Sequence, residues 1–456
     1  MILRDVEVDG VGGLDVRLAG DHIAEVGQDL VGRAAADETV LDGHGGALLP
    51  GLHDHHLHLR ALARSRSSLA CGPPQVRRPE DLDRVLRDAG GRRPSGAWLR
   101  GVGHDDRWGG PLDRDRLDAL VPDRPVRVQH RSGHLWILNS RALALAGPAV
   151  SPAAPDGRLY DADHLLHGLD PSSPADEQAA VAEVSADLAR VGVTGITDAT
   201  VTNDAGTDDL VAAWRTSGAL RQRVHLLGGA GVDGARKLVL AEHDLPPLDD
   251  LVATIVAAHR AGRPVAVHAA SRATVVLALA ALDAAGVAPG DRLEHASVAP
   301  PETVAWIARL GVTVVTNPGF VVAHGDRYLD DVDPDDQPWL YRGRAFLDAG
   351  VALAAGSDAP FGPEDPWVAM QAAVGRRTES GARLGIDEGL TPEAALALYT
   401  GAPGAPGGPA RRIALGPPAD LCLLTVPWVE ARRRLTADYV AATIVDGVLV
   451  SSRERS

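Results

Sequence analysis

Five side chains of metal-ligand type and one primary amine carry the chemistry open to this chain. His56-Leu57-His58 closes an apolar segment, LLPGLHDHHLH (48–58), and alternation along a strand sends both imidazoles to one face. His268 lies at the end of PVAVHA, His295 in RLEHA and Asp358 at the end of VALAAGSD. Imidazole and carboxylate are the borderline N/O ligands that suit Zn²⁺ and related divalent ions. Lys237 is the only lysine, the other 44 of the 45 basic side chains being arginine. A guanidinium is not deprotonated in proteins, so a position that keeps lysine in such a chain points to the chemistry of a neutral amine: a Schiff base, nucleophilic attack, or addition to carbon dioxide. A lone H-x-H or one histidine at a strand end has many structural matches. The order of all six residues along the chain is what singles out a metal site.

The elements that must position them can be read in turn. Eight short apolar segments alternate with Ala-rich helical stretches: 48–58, 193–199, 223–227, 237–241, 264–269, 292–296, 312–318 and 351–358. This is the βα alternation of a parallel (β/α)8 barrel, an α/β fold whose active site lies at the C-terminal ends of its strands. The six candidate residues stand on such strands. PVRVQH (125–130) would be a ninth strand and is assigned to an insertion of about 60–180, expected to cap the barrel mouth. Residues 1–48 and 409–456 show strand–turn–strand patterning, with Asp446-Gly447 as a hairpin signal. Neither end suffices alone, so one β domain built from both termini is expected, with the barrel spanning 49–408.

Composition narrows the partners. The chain has 456 residues, 45% hydrophobic but only 4% aromatic, so Ala, Val and Leu must fill the core. A formal charge of −16 without long like-charge runs argues against nucleic acid and anionic membrane, and leaves a small-molecule substrate. Cys71 and Cys422 are too few for a disulfide framework and are expected to be structural thiols. MILRDVEVDG has no apolar signal core and no segment approaches a membrane span, so a cytoplasmic protein is expected. A homodimer is left open.

PGLHDHHLH, a lysine on the fourth strand, PVAVHA, DRLEHAS and AAGSDAPFG, in this order, resemble the amidohydrolase superfamily. GHLWILNSRAL (133–143) and LTPEAALALYTG resemble its YtcJ-like branch, which includes N-substituted formamide deformylases. The resemblance implies a (β/α)8 barrel with a small composite β-sandwich. It implies that His56, His58 and Asp358 bind one zinc and His268 and His295 a second, with Lys237 carboxylated by carbon dioxide to a carbamate that bridges them. The implied reaction is hydrolysis of an amide, formamide or cyclic amide by metal-activated water, Asp358 moving the proton to the leaving nitrogen. The chain departs from the branch in HAASRA (268–273), where an acidic residue is usual, in His130-Arg131-Ser132-Gly133-His134, and in His104 where tryptophan is common. These departures concern the substrate pocket more than the metals.

Trp108, His134 and Asn139 in the insertion, and His324, Arg327 and Tyr328 in what reads as a loop after the seventh strand, are candidate substrate contacts. Asp326 in the same stretch reads as solvated. Asp54 shares strand parity with His56 and His58 and could orient one of them. Two other readings compete with a binuclear hydrolase: a mononuclear deaminase using His56, His58, His268 and Asp358, and a catalytically silent scaffold. All six ligand positions carry competent side chains, which weighs against the last.

Overall fold

The computed structural model describes residues 1–92, 96–147, 154–160, 163–166, 169, 173–416 and 418–453. They separate into two compact units, one of Met1–Leu59 with Ala182–Ser456 and a second of Arg60–Val181.

The first unit begins with β1 (Ile2–Val8), β2 (Val11–Ala19), β3 (His22–Gly27) and β4 (Val40–Pro50), followed by β5 (Leu52–Leu57). In the second unit, β6 (Leu69–Ala70), β7 (Leu99–His104), β8 (Val126–His130), β9 (Leu135–Leu138) and β10 (Arg158–Tyr160) form a five-stranded sheet in the order β10-β9-β8-β7-β6. PVRVQH is therefore a strand of this unit's own sheet. Its core is aliphatic, with Leu82, Leu86, Leu99, Val126, Val128 and Ile137 at its centre.

The chain then returns to the first unit through β11 (Val193–Asp198), β12 (Arg223–Leu226), β13 (Arg236–Val239), β14 (Val265–Ala269), β15 (Arg292–His295), β16 (Thr313–Thr316) and β17 (Leu353–Ala355). Helices such as Ala205–Ser217, Leu248–Arg260, Arg272–Ala285 and Pro301–Leu310 alternate with them. β5, β11 and β12 make a three-stranded sheet and β13 to β17 a five-stranded one, all neighbours parallel, so the fold is α/β. Backbone groups link the two sheets on both sides. Gly228 bridges Arg236 between β12 and β13, and Asp358 N donates to His56 O at 2.7 Å where the segment after β17 meets β5. Gly356 is required at that second junction. A Cβ there would lie 2.5 Å from the backbone nitrogen of His56, so only glycine lets the two segments approach this closely.

The chain ends in β18 (Leu421–Leu424), β19 (Val440–Val445) and β20 (Val448–Ser452), and these join the N-terminal strands in one seven-stranded sheet, β20-β19-β18-β4-β1-β2-β3. Leu3, Val6, Val16, Leu48, Leu421, Leu423 and Ile444 pack into one core, which explains why neither end could bury its apolar face alone. Asp446 and Gly447 both take positive φ, 52° and 72°, as the tight turn of a right-twisted hairpin requires. Among the described residues no helix is long and apolar enough to cross a membrane.

Candidate metal centre

The site gathers where β5, β14, β15 and β17 end. His56, His58 and Asp358 offer ligand atoms that all lie within 4.8 Å of one another. Asp358 Oδ1 stands 3.1 Å from His58 Nε2 and 3.4 Å from His56 Nε2. The His295 ring lies 4.8 Å from that of His56 and 4.3 Å from that of His268, and His295 Nε2 and His268 Nδ1 share a 2.8 Å hydrogen bond. Five of the six expected ligands thus form one continuous set. The backbone is left-handed at His295 (φ 72°) and Asp358 (φ 54°). Such a turn costs a residue with a Cβ roughly 1–2 kcal/mol, and at these strand ends it re-aims the side chain away from simple alternation.

Lys237 stands on β13 beside Ala266 of β14, 4% exposed, and its Nζ has no hydrogen-bond partner. Burial pulls its pKa from 10.5 to about 8, against the opposing charges of Glu294 and Asp358 and with the help of Arg292. Burial is also the main reason why the His56 imidazole falls to about 3, with Lys237 next, so the ring is neutral, the state in which it can ligate. For Asp358, burial alone would raise the carboxyl, but the hydrogen bond to His58 and the rings of His56 and His295 hold it well below the usual carboxylate range.

Around the candidate ligands runs a layer of orienting contacts that residue type and spacing do not reveal. Glu294 Oε2 accepts from His56 Nδ1 at 2.6 Å, Thr200 Oγ1 lies 3.0 Å from His58 Nδ1, and Asn317 Oδ1 lies 2.7 Å from His295 Nδ1. In each case Nδ1 is occupied, while Nε2 of His56 and of His58 faces Asp358 and Nε2 of His295 faces His268. Asp198 builds the loop that holds Thr200, accepting from Thr200 N and from Asn203 Nδ2. Asp54 is placed differently from expectation. Its Oδ1 accepts from the backbone of His56 and of Ser357, both at 3.0 Å, so it ties β5 to the segment after β17 and touches no ligand ring. Burial raises its carboxyl to about 6.

The candidate substrate contacts divide. His324, Arg327 and Tyr328 lie on a helix, Gly319–Asp331, and not in a loop. His324 Nε2 donates to Phe361 O at 2.9 Å, Tyr328 shares a hydroxyl bond with Tyr341, and Arg327 pairs with Asp331 on the surface. Asp326 accepts from Thr378 and Ser380, a structural tether. Trp108, His134 and Asn139 belong to the second unit, Trp108 and His134 exposed in it. The Asn139 amide is fully committed: its oxygen accepts from Val126 N and Ala142 N, and its nitrogen donates to Val121 O and Arg124 O. It caps the helix Ser140–Ala146 and has no capacity left for a ligand. Cys71 and Cys422 are buried free thiols, each pushed by burial up to about 12.

Comparison with known proteins identifies the family. The amidohydrolase family pattern matches residues 39–451. The chain is 28% identical to the N-substituted formamide deformylase of Arthrobacter pascens over 97% of this chain and 95% of that one. It is 25% identical to the amidohydrolase YtcJ of Bacillus subtilis (strain 168) over 78% and 79%. Among solved structures, an uncharacterized metal-dependent hydrolase of Pyrococcus horikoshii shares the fold with a TM-score of 0.69 at 20% identity, covering 88% of this chain and 91% of that one. The N-isopropylammelide isopropylaminohydrolase of Burkholderia multivorans does so with 0.54 at 18% identity, over 99% and 98%. The chain therefore belongs to the amidohydrolase family, in its YtcJ-like branch, as a metal-dependent hydrolase of carbon–nitrogen bonds other than peptide bonds.

Proposed function

We propose that this enzyme hydrolyses the C–N bond of an amide, formamide or cyclic amide in a small molecule, on a centre of two divalent ions, zinc by the nature of the donors. The eight parallel strands would close as a (β/α)8 barrel around it, and the shared terminal sheet would belong to a composite β-sandwich beside it. The observation that carries the reading is the convergence of His56, His58 and Asp358 within 4.8 Å, with Lys237 buried nearby and its amine unpartnered.

The residues fit such a centre. His56, His58 and Asp358 would hold one ion, His268 and His295 the other. A buried ammonium without a partner is costly, whereas a neutral Lys237 amine that had added carbon dioxide would supply an anionic oxygen ligand to such a centre. When bound, the ions lower the pKa of water and polarise the carbonyl under attack. The chain's own residues do the rest. Asp358, ionised and hydrogen-bonded to His58, would take a proton and return it to the departing nitrogen. Thr200, Asn317 and Glu294 keep the three imidazoles from turning. The deformylase activity named for the Arthrobacter relative makes N-substituted formamides the first substrates to try.

The test is turnover on a panel of N-formyl and N-acyl amines with zinc and bicarbonate present. Both Asp358→Asn and Lys237→Ala should abolish it. Unchanged turnover in both would sink the proposal, and turnover confined to aminated heterocycles would favour a mononuclear deaminase.

A further inference from the structure

We infer that Glu294, working with Arg292, is the positioning residue that sets the tautomer of His56. The inference rests on the metal-centre reading above. Both oxygens of this carboxylate are committed. Oε2 accepts from His56 Nδ1 and Oε1 from Arg292 Nε, each at 2.6 Å, with the side chains of Glu294, His56 and Arg292 at most 3% exposed. Arg292 Nη2 reaches on to His55 O at 3.5 Å, anchoring the pair to the strand that carries His56.

An ionised carboxylate accepts only, so the hydrogen between it and the imidazole belongs to Nδ1. Nε2, the atom that faces Asp358, then keeps its lone pair. The other two rings are held less strictly. Thr200 can donate to His58 or accept from it, and Asn317 presents its oxygen to His295 only because its nitrogen donates to Gly356 O. His56 alone of the three faces a full negative charge at Nδ1.

The isosteric change Glu294→Gln exposes the dependence. Glutamine sets one oxygen and one NH2 against two donors. If the NH2 meets Arg292, donor faces donor, and the guanidinium cannot yield its proton. If it meets His56, Nδ1 must accept, and the ring moves its proton to Nε2, the nitrogen a metal needs. The imidazole can make this exchange and the guanidinium cannot, so E294Q should carry the wrong tautomer of His56. Removing the rival donor as well, in Arg292→Met with Glu294→Gln, frees the glutamine oxygen to face His56 and should restore the original tautomer.

The experiment is ¹⁵N-histidine NMR of the metal-free full-length protein, with the His56 signals assigned by their loss in a His56→Asn variant, followed by zinc titration of each protein. Wild type should show His56 protonated at Nδ1. E294Q should show it at Nε2 and bind zinc about 10–100-fold more weakly, and the double variant should recover Nδ1 protonation and most of the affinity. Wild-type His56 protonated at Nε2, or E294Q binding zinc as tightly as wild type, would overturn the inference. Failure of the double variant to recover would overturn the part assigned to Arg292. If E294Q does not fold, the wild-type spectrum decides. A wild-type protein that takes up no zinc would instead overturn the metal centre, a result separable from the tautomer reading.

Discussion

Histidine meets carboxylate in both units of this molecule, with different consequences. At the ends of β5 and β17, His56 and His58 share Asp358, and each has its other ring nitrogen fixed from a further strand or loop. Those contacts join residues far apart in the chain, 238 positions for His56 and Glu294 and 142 for His58 and Thr200. In the second unit His104 Nε2 meets Asp106 two residues away at 2.9 Å, and that carboxylate is 45% exposed. A local pair forms wherever a turn allows it, and among the described residues this one belongs to no cluster of metal-ligand atoms. A pair assembled from several parallel strands exists only when the whole sheet is in register, and it brings its neighbours with it.

Breaking the two pairs separately should give the largest contrast. Asp358→Asn, which keeps volume but removes the proposed proton acceptor and ligand, is expected to cut kcat/KM by about a thousandfold or more with the melting temperature little changed. Asp106→Asn should leave kcat/KM within about twofold. Comparable losses in the two variants would erase the distinction.

Lys237 offers a second contrast, read in the stability of the metal-free protein. The drop from 10.5 to about 8 means that the folded state disfavours the ammonium. Below pH 8 both folded and unfolded chains carry the proton, so the cost of burying the charge is fully present. Between about 8 and 10.5 only the unfolded chain is protonated, and folding stability should rise with pH by roughly 3 kcal/mol across that window. Urea unfolding of wild type and Lys237→Met at pH 7 and pH 10 measures it. The variant should lack this rise, and equal pH dependence in both proteins would remove the buried amine from the account.

A smaller effect separates structure from site in the second unit. Asn139→Ala leaves two buried N–H groups and two buried carbonyls without partners and should cost about 1–3 kcal/mol in urea unfolding while kcat per folded enzyme stays unchanged. A fall in kcat without a fall in stability would return Asn139 to the substrate contacts.

What was legible in the sequence follows from the physics of each element. The eight parallel strands of the first unit are short apolar runs stopped by turn residues, and five of the candidate ligands stand near strand ends, so type and place coincide. Asp54 was visible by parity, but parity does not say whether a carboxylate will reach a ring or a backbone N–H. Glu294 was hidden because it precedes His295, and alternation would send neighbours apart. The left-handed φ at His295, which lets both approach His56, leaves no mark in residue type. The helix Gly319–Asp331 read as a loop because Gly319 and Gly325 interrupt it, although Phe320, His324 and Tyr328 repeat at helical spacing. Asn139 stands just before SRALALA, an N-cap signature that accounts for it better than a pocket does.

The central claim is that Lys237 serves as an anionic ligand between two metal ions and not as a cation. Metal analysis of protein prepared with zinc and ¹³C-bicarbonate, together with its ¹³C NMR spectrum, tests it most directly. The account predicts about two ions per chain and a carbamate signal that vanish together in Lys237→Met. Two ions bound with no carbamate, or fewer than about one ion per chain, would contradict it.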